Sequence, residues 1–347
     1  MQPLKQSERE NEKFIPCGYG LLGLCCSACL LGPCRLSPFE SEPSGGLCGD
    51  SRDLIVAKNL LRLATREAAN EIRRLRETVL ERGEKGKRGH LPGKWPAKSE
   101  KNILAQKYGV ASNRSTERLV RSMIKESSNL LSLFPETTSP ILSSLYPERV
   151  FPLLYGGKLP FGSVTGLLLD SMNDQNGSST VEDILGQCLR ISMITILSEE
   201  LRRDINDLTE GEGPSGKDYQ ALDALKDLSP DPVPVLVILA GEEENRMVQD
   251  CEEAFKGKGL TVSIRGIASL PEIGRRLFEK WSIPVTEMEA MVFVTSSFAT
   301  WVLGALALGF AVVSSPPLPI HGSEEAERFF DRYSPSRDTL LEFLKGI

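Results

Sequence analysis

The stretch Cys17-Gly18-Tyr19-Gly20-Leu21-Leu22-Gly23-Leu24-Cys25-Cys26-Ser27-Ala28-Cys29-Leu30-Leu31-Gly32-Pro33-Cys34-Arg35-Leu36, followed by Gly46-Leu47-Cys48-Gly49, decides how this chain is read. Its cysteines stand as Cys17-x7-Cys25-Cys26-x2-Cys29-x4-Cys34-x13-Cys48, so six of the eight in 347 residues lie close to the N-terminus. Iron–sulfur clusters are held by thiolates, usually four to a cluster. Six thiols make one full set and leave two over, which is half of another. A two-fold homodimer would complete that half set at its axis. The arithmetic favours an iron–sulfur electron carrier built as a dimer.

Two other readings of the same thiols stay open. Zinc sites usually carry paired Cys-x2-4-Cys knuckles at two places, and here only Cys26-x2-Cys29 has that form. Disulfides belong to oxidising compartments and typically staple small secreted domains. The chain is large and opens on the polar run Met1-Gln2-Pro3-Leu4-Lys5-Gln6-Ser7-Glu8-Arg9-Glu10, which contains no apolar signal-like core, so a cytoplasmic protein is expected.

The glycines Gly18, Gly20, Gly23 and Gly32 are expected to let the backbone wrap closely round sulfur, and Pro33 to stiffen the turn before Cys34. Arg35 is a candidate for offsetting cluster charge, with a solvated surface arginine as the alternative. The net charge of −6 leaves no electrostatic footprint for nucleic acid.

Downstream, the pattern is helical and then changes. Leu54, Ala57, Leu61, Ala64 and Ala68 recur at helical spacing and predict a long helix over residues 50–82. Residues 83–101, rich in Gly, Pro and Lys, predict a solvated loop. Helices are predicted over 116–134 and 180–208, the second capped by Thr180 with Glu182 and Asp183 in its first turn.

Residues 209–232 carry Gly211, Gly213, Pro214, Gly216, Pro230 and Pro232 and mark a boundary. Beyond it, Val233-Pro234-Val235-Leu236-Val237-Ile238-Leu239-Ala240-Gly241 is a short apolar run of the kind that forms buried parallel strands. A helix over about 243–257, strands near 260–264, 291–294 and 310–313, a helix over 300–308 and a last-but-one helix capped by Ser323 and running through Phe330 follow. The fold class is α+β multidomain: a helical iron–sulfur domain over 1–228, then a small Rossmann-like α/β domain with a parallel sheet over 229–347.

The region 290–320 is nearly uncharged. Ser296, Ser297, Thr300, Ser314, Ser315 and its prolines divide it into pieces of strand and helix length, so no membrane span is expected. Gly241 opens no G-x-G-x-x-G turn, which leaves nucleotide binding without a motif.

The segment 17–36, continued by Gly46-Leu47-Cys48-Gly49 and Asp53-Leu54-Ile55-Val56-Ala57-Lys58-Asn59-Leu60-Leu61-Arg62, resembles the N-terminus of nickel-containing anaerobic carbon monoxide dehydrogenases. The hybrid-cluster proteins are similar in character, but their cysteine spacing fits less well. Residues 159–201 resemble the helical domain of the same family. The α/β part resembles its Rossmann-like domains, down to Gly304-Ala305-Leu306-Ala307-Leu308-Gly309 and Pro316-Pro317-Leu318-Pro319.

The resemblance implies that Cys17 and Cys25 hold a D-type cluster shared between two chains. It implies that Cys26, Cys29, Cys34 and Cys48 hold a B-type [4Fe–4S] cluster within each chain.

It also shows what this chain lacks. The family's nickel–iron–sulfur C-cluster needs a histidine and several cysteines spread along a longer chain. Outside the N-terminal group there are only Cys188, Cys251, His90 and His321. Cys188 lies in the apolar pattern Ile184, Leu185, Leu189 and Ile191 and reads as a small core hydrophobe, and Cys251 reads similarly. The family's histidines along the helix after the B-cluster are missing from Ala68-Ala69-Asn70-Glu71-Ile72-Arg73-Arg74. Nickel is therefore not expected.

The reading is a shortened, carbon monoxide dehydrogenase-like electron-transfer protein or subunit that does not oxidise CO alone. A redox partner is implied: a ferredoxin, a flavoprotein or a larger complex. The alternatives are CO oxidation completed by a partner chain, and a non-redox assembly module whose clusters stabilise the fold.

Overall fold

Helical spacing and apolar strand runs are realised in a computed structural model that describes residues 17–30, 32–39, 45–87, 105, 115–132, 164–174, 179–210, 225, 228, 230–240, 246–283, 285–295, 298–314 and 317–332. The chain begins with a one-turn helix α1 (Gly18–Leu21) and two very short strands, β1 (Cys25–Cys26) and β2 (Cys34–Arg35), paired antiparallel. Helices α2 (Arg52–Lys87), α3 (Thr116–Leu131), α4 (Val164–Asp174) and α5 (Val181–Glu210) follow.

Helix α2 forms where its period says it should: Ala57, Leu61, Ala64 and Ala68 are all fully buried. It runs on through Gly83 to Lys87, past the point where a loop was expected. An i,i+4 pair between Lys85 and Glu81 at 2.6 Å supports the last turns. A side chain at Gly83 would reach Ile124 of α3 at an ordinary 3.8 Å, so the glycine is not forced by that contact. The rest of the expected basic loop, with His90, lies outside the described residues.

Helix α5 starts on a reciprocal cap. The Asp183 N–H donates to Thr180 Oγ1 at 3.2 Å, and the Thr180 N–H donates back to Asp183 Oδ2 at 3.2 Å. These contacts hold the Asp183 carboxyl below the usual range, the Thr180 hydroxyl bond being the largest cause. Helices α2 and α5 pack along each other, with α3 and α4 against both.

The second part is a doubly wound unit. Strands β3 (Val235–Ala240), β4 (Leu260–Arg265), β5 (Ala290–Val294) and β6 (Ala311–Ser314) form one parallel sheet in the order β4-β3-β5-β6. Helix α6 (Arg246–Phe255) joins β3 to β4, α7 (Leu270–Trp281) joins β4 to β5, α8 (Ala299–Leu308) joins β5 to β6, and α9 (Glu324–Asp331) closes the described chain.

Because side chains alternate along a strand, the two faces bury different sets. Leu236, Ile238 and Phe293 pack with Phe255 of α6 on one face. Val235, Val237, Leu239, Val292 and Val294 face the other way, into a core that continues through α8 to α5 and α2. Helix α8 is buried at every residue but the half-buried Trp301, which explains a sequence free of charge better than a membrane does. Among the described residues no helix is long and apolar enough to cross a membrane.

Candidate metal centre

The N-terminal thiols are gathered by the smallest elements of the protein. In the β1–β2 pair Cys26 stands opposite Cys34, and Cys25 opposite Arg35. Residues opposite one another in an antiparallel pair have Cα atoms about 4.5–5.5 Å apart, so Cys26 and Cys34 share one spot on the chain. The turn at 45–50 brings Cys48 to the same place. A Cβ built on Gly46 would lie 3.6 Å from the Cys48 sulfur and 3.7 Å from the Cys34 sulfur, so a bare glycine backbone leaves room between these thiols. Cys26 is buried, Cys34 is half-buried, and Cys29 and Cys48 are exposed.

Cys17 is exposed at the start of α1, and the backbone N–H groups of Gly20 and Tyr19 hold its thiol pKa below the ordinary value. Cys25 is half-buried. Among the described residues, no three cysteine, histidine or acidic side chains converge to metal-ligating distance. None of the seven described cysteines is in a disulfide.

The glycine expectation needs correction. Gly18 and Gly20 are simply helical and have open space or a distant neighbour where a side chain would go. The demand for glycine falls on Gly23, at φ +75°, where a side chain would strike the Pro319 carbonyl oxygen and come within 3.2 Å of Val56. Gly32 is confined differently, with the Cys26 carbonyl oxygen 3.1 Å from where a side chain would begin.

What fixes this lobe is a row of polar side chains on the first turns of α2, and the cysteine spacing does not point to them. Lys58, buried beneath the lobe, makes bonds of 3.0 and 2.9 Å to the two Asp50 carboxylate oxygens and so pins the turn carrying Cys48. Asn59 Nδ2 donates to the Gly23 carbonyl at 2.8 Å and the Cys25 carbonyl at 2.9 Å. Arg62 Nη1 donates to Asn59 Oδ1 at 2.8 Å and lies 3.7 Å from the Cys26 sulfur. Asp53 accepts a short bond from the Ser323 hydroxyl, which also accepts from the Ala326 N–H at 3.0 Å and so caps α9. The signal that could have found this row is its own spacing, since residues three or four apart share a helix face. Arg35, the arginine singled out in the sequence, is exposed.

The scattered candidates behave as core or surface. Cys188 is fully buried in the apolar core, and burial pushes its thiol far up. His321 Nδ1 lies 2.7 Å from Glu327 Oε1 on the surface. Cys251 lies on α6.

At the carboxyl end of the sheet, where doubly wound folds bind ligands, the α8 N-terminus is already filled. The Glu67 carboxylate accepts from the Ala299 N–H at 3.2 Å and the Thr300 N–H at 2.9 Å. Burial pushes the Glu67 pKa up despite those bonds.

A thiol-rich lobe pinned by polar side chains onto a long helix, with a parallel α/β layer behind it, defines the class of protein. The chain belongs to the Prismane/CO dehydrogenase family, whose profile matches residues 24–217. Carbon monoxide dehydrogenase 1 of Methanosarcina acetivorans is 36% identical over 137 residues, covering 39% of this chain and 21% of that protein. Carbon monoxide dehydrogenase of Rhodospirillum rubrum is 55% identical over 53 residues, covering 15% of this chain and 8% of the relative. Carbon monoxide dehydrogenase IV from Carboxydothermus hydrogenoformans superposes with a TM-score of 0.50 at 17% identity, covering 94% of this chain and 56% of that structure. The fold is thus shared, and the chain spans little more than half the length of that solved relative.

Proposed function

We propose that this chain is an iron–sulfur electron-transfer protein or subunit that lacks a nickel–iron–sulfur catalytic cluster of its own. The observation that carries the reading is that the Cys34 and Cys48 sulfurs flank Gly46 while Cys26 stands opposite Cys34 in the β1–β2 pair. Cys26, Cys29, Cys34 and Cys48 would hold a [4Fe–4S] group within the chain. Cys17 and Cys25 would supply half the ligands of a group shared with a second copy. Bound groups of this kind supply one-electron storage.

The donor set fits: all ligands are thiols, soft donors suited to iron–sulfur or zinc, and the glycine backbone at Gly46 leaves space beside two of them. Exposed Cys29 and Cys48 can close in on binding, since metal ligation and local ordering are coupled. Exposed Leu30, Phe39 and Leu47 surround the cysteines with apolar surface, which suits a homodimer face. The helical part, 1–228, would carry the clusters, and the α/β part, 229–347, would serve as a packing and docking platform. A reducing, cytoplasmic setting keeps the thiols available.

The test is to replace Cys17 and Cys25 together with serine. The double variant should lose the shared group and dimerise more weakly while the internal group survives. A wild-type chain holding four irons from the internal set alone, with no further iron between two copies, would refute the shared site.

A further inference from the structure

Arg62 has no role in the cysteine arithmetic, yet it is the cation that reaches a buried sulfur. We infer that Arg62 compensates the charge of the internal thiolate set and sets the reduction potential of the group held there, an inference that rests on the function proposed above.

The geometry is specific. Cys26 is 6% exposed, and Arg62 Nη1 stands 3.7 Å from its sulfur, within reach of a hydrogen bond to that large acceptor. An Nη carries two hydrogens, so one can serve Cys26 while the other serves Asn59 Oδ1 at 2.8 Å. Asn59 is itself tied to the carbonyls of Gly23 and Cys25, on the same short segment as Cys26. The guanidinium is therefore held in place before any group binds, by a residue one turn back on α2.

The alternative cation, Arg35, is exposed, so its charge is screened by water and salt. Arginine does not deprotonate, so the compensation persists at any working pH. Cluster potentials respond to net charge, hydrogen bonds to sulfur and exposure, and Arg62 supplies the first two at Cys26, the one buried sulfur of the four.

The experiment is a redox titration of the anaerobic, iron-loaded full chain, followed by electron paramagnetic resonance, with dithionite as the reductant. It compares wild type, Arg62→Gln and Arg62→Lys and measures iron content alongside. Arg62→Gln should lower the reduced-to-oxidised ratio at fixed potential about tenfold, a downward shift of about 59 mV for a one-electron couple. Arg62→Lys keeps the charge but loses the planar fork, and should shift the same way by less.

An unchanged midpoint in Arg62→Gln at full iron content overturns the inference and leaves the proposed function standing. Wild-type protein without an iron–sulfur signal overturns both. If Arg62→Gln loses its iron, Arg62→Lys decides: a lowered midpoint supports the inference and a wild-type midpoint overturns it. Loss of iron from both variants assigns Arg62 to assembly and overturns it as well.

Discussion

The thiol-rich lobe and the parallel sheet are stabilised by opposite means. The described residues between 17 and 50 form a one-turn helix, two two-residue strands and a few apolar plugs such as Leu24 and Leu36. Their position depends on individual polar contacts from α2, the Lys58, Asn59 and Arg62 row. The sheet buries apolar side chains on both faces and spreads its stability over many of them. A lobe held by a few directed contacts can be reshaped by a ligand, whereas a layer held by distributed burial is a rigid backing. Under the proposed function, the first region would carry the chemistry and the second would support it.

The contrast is broken most sharply by a core deletion. Leu303 on α8 is fully buried between the sheet and the long helices. Leu303→Ala should cost about 3 kcal/mol of unfolding free energy, read by urea denaturation. Iron bound per folded chain should not change. Loss of iron at wild-type stability would contradict the division of labour.

The converse experiment is Lys58→Met, which leaves the Asp50 carboxylate without its buried partner. The cost should be about 2 kcal/mol, less than for a fully buried pair because Asp50 is partly exposed. Iron retention should fall more than stability does, since the turn bearing Cys48 is released. Iron analysis after gel filtration checks it.

A third experiment concerns the contact of α5 with the segment that follows β4. Glu199 of α5 lies against Gly266 and accepts from the Ala268 N–H. Burial, with Glu71 nearby and Arg202 and Arg203 acting the other way, pushes its pKa up from 4.5 to about 7. A carboxyl whose folded value is raised contributes stability that is present below its unfolded value and is lost as pH rises through the folded value. Thermal stability should therefore decline between about pH 4.5 and 7 from this group, and Glu199→Gln should flatten that part of the profile. Equal slopes in the two proteins would remove Glu199 as the cause.

The smallest effect belongs to a helix end remote from both regions' interiors. Thr180→Ala removes the α5 cap and should cost about 1 kcal/mol without touching iron content.

Much of this architecture is legible in the sequence, and the exceptions have physical causes. The buried strands announce themselves as apolar runs, and α2 and α5 as periodic ones with a readable cap at Thr180. Helix α7 is harder to read, because Pro271 and Gly274 look like breakers. Proline is tolerated in a first helical turn, and Ile273, Leu277 and Trp281 recur at helical spacing along its buried side. The run of α2 past Gly83 is misread because glycine marks a helix end by propensity, whereas here the Glu81–Lys85 pair spans it.

At the candidate site the cysteine spacing is visible at a glance. The spacing of Lys58, Asn59 and Arg62 puts them near one helix face, but what each one bonds depends on contacts across 8 to 36 residues of chain, which that spacing does not give.

The central claim is that the lobe carries electrons through iron–sulfur groups and has no nickel site. It is tested most directly by the iron, acid-labile sulfide and nickel content of the anaerobically purified chain, determined with its oligomeric state. The account predicts a dimer with about six irons per chain, four from the internal set and two as half of a shared [4Fe–4S] group, a matching amount of sulfide, and no stoichiometric nickel. Zinc in place of iron, or nickel near one per chain together with CO-dependent dye reduction, would contradict it.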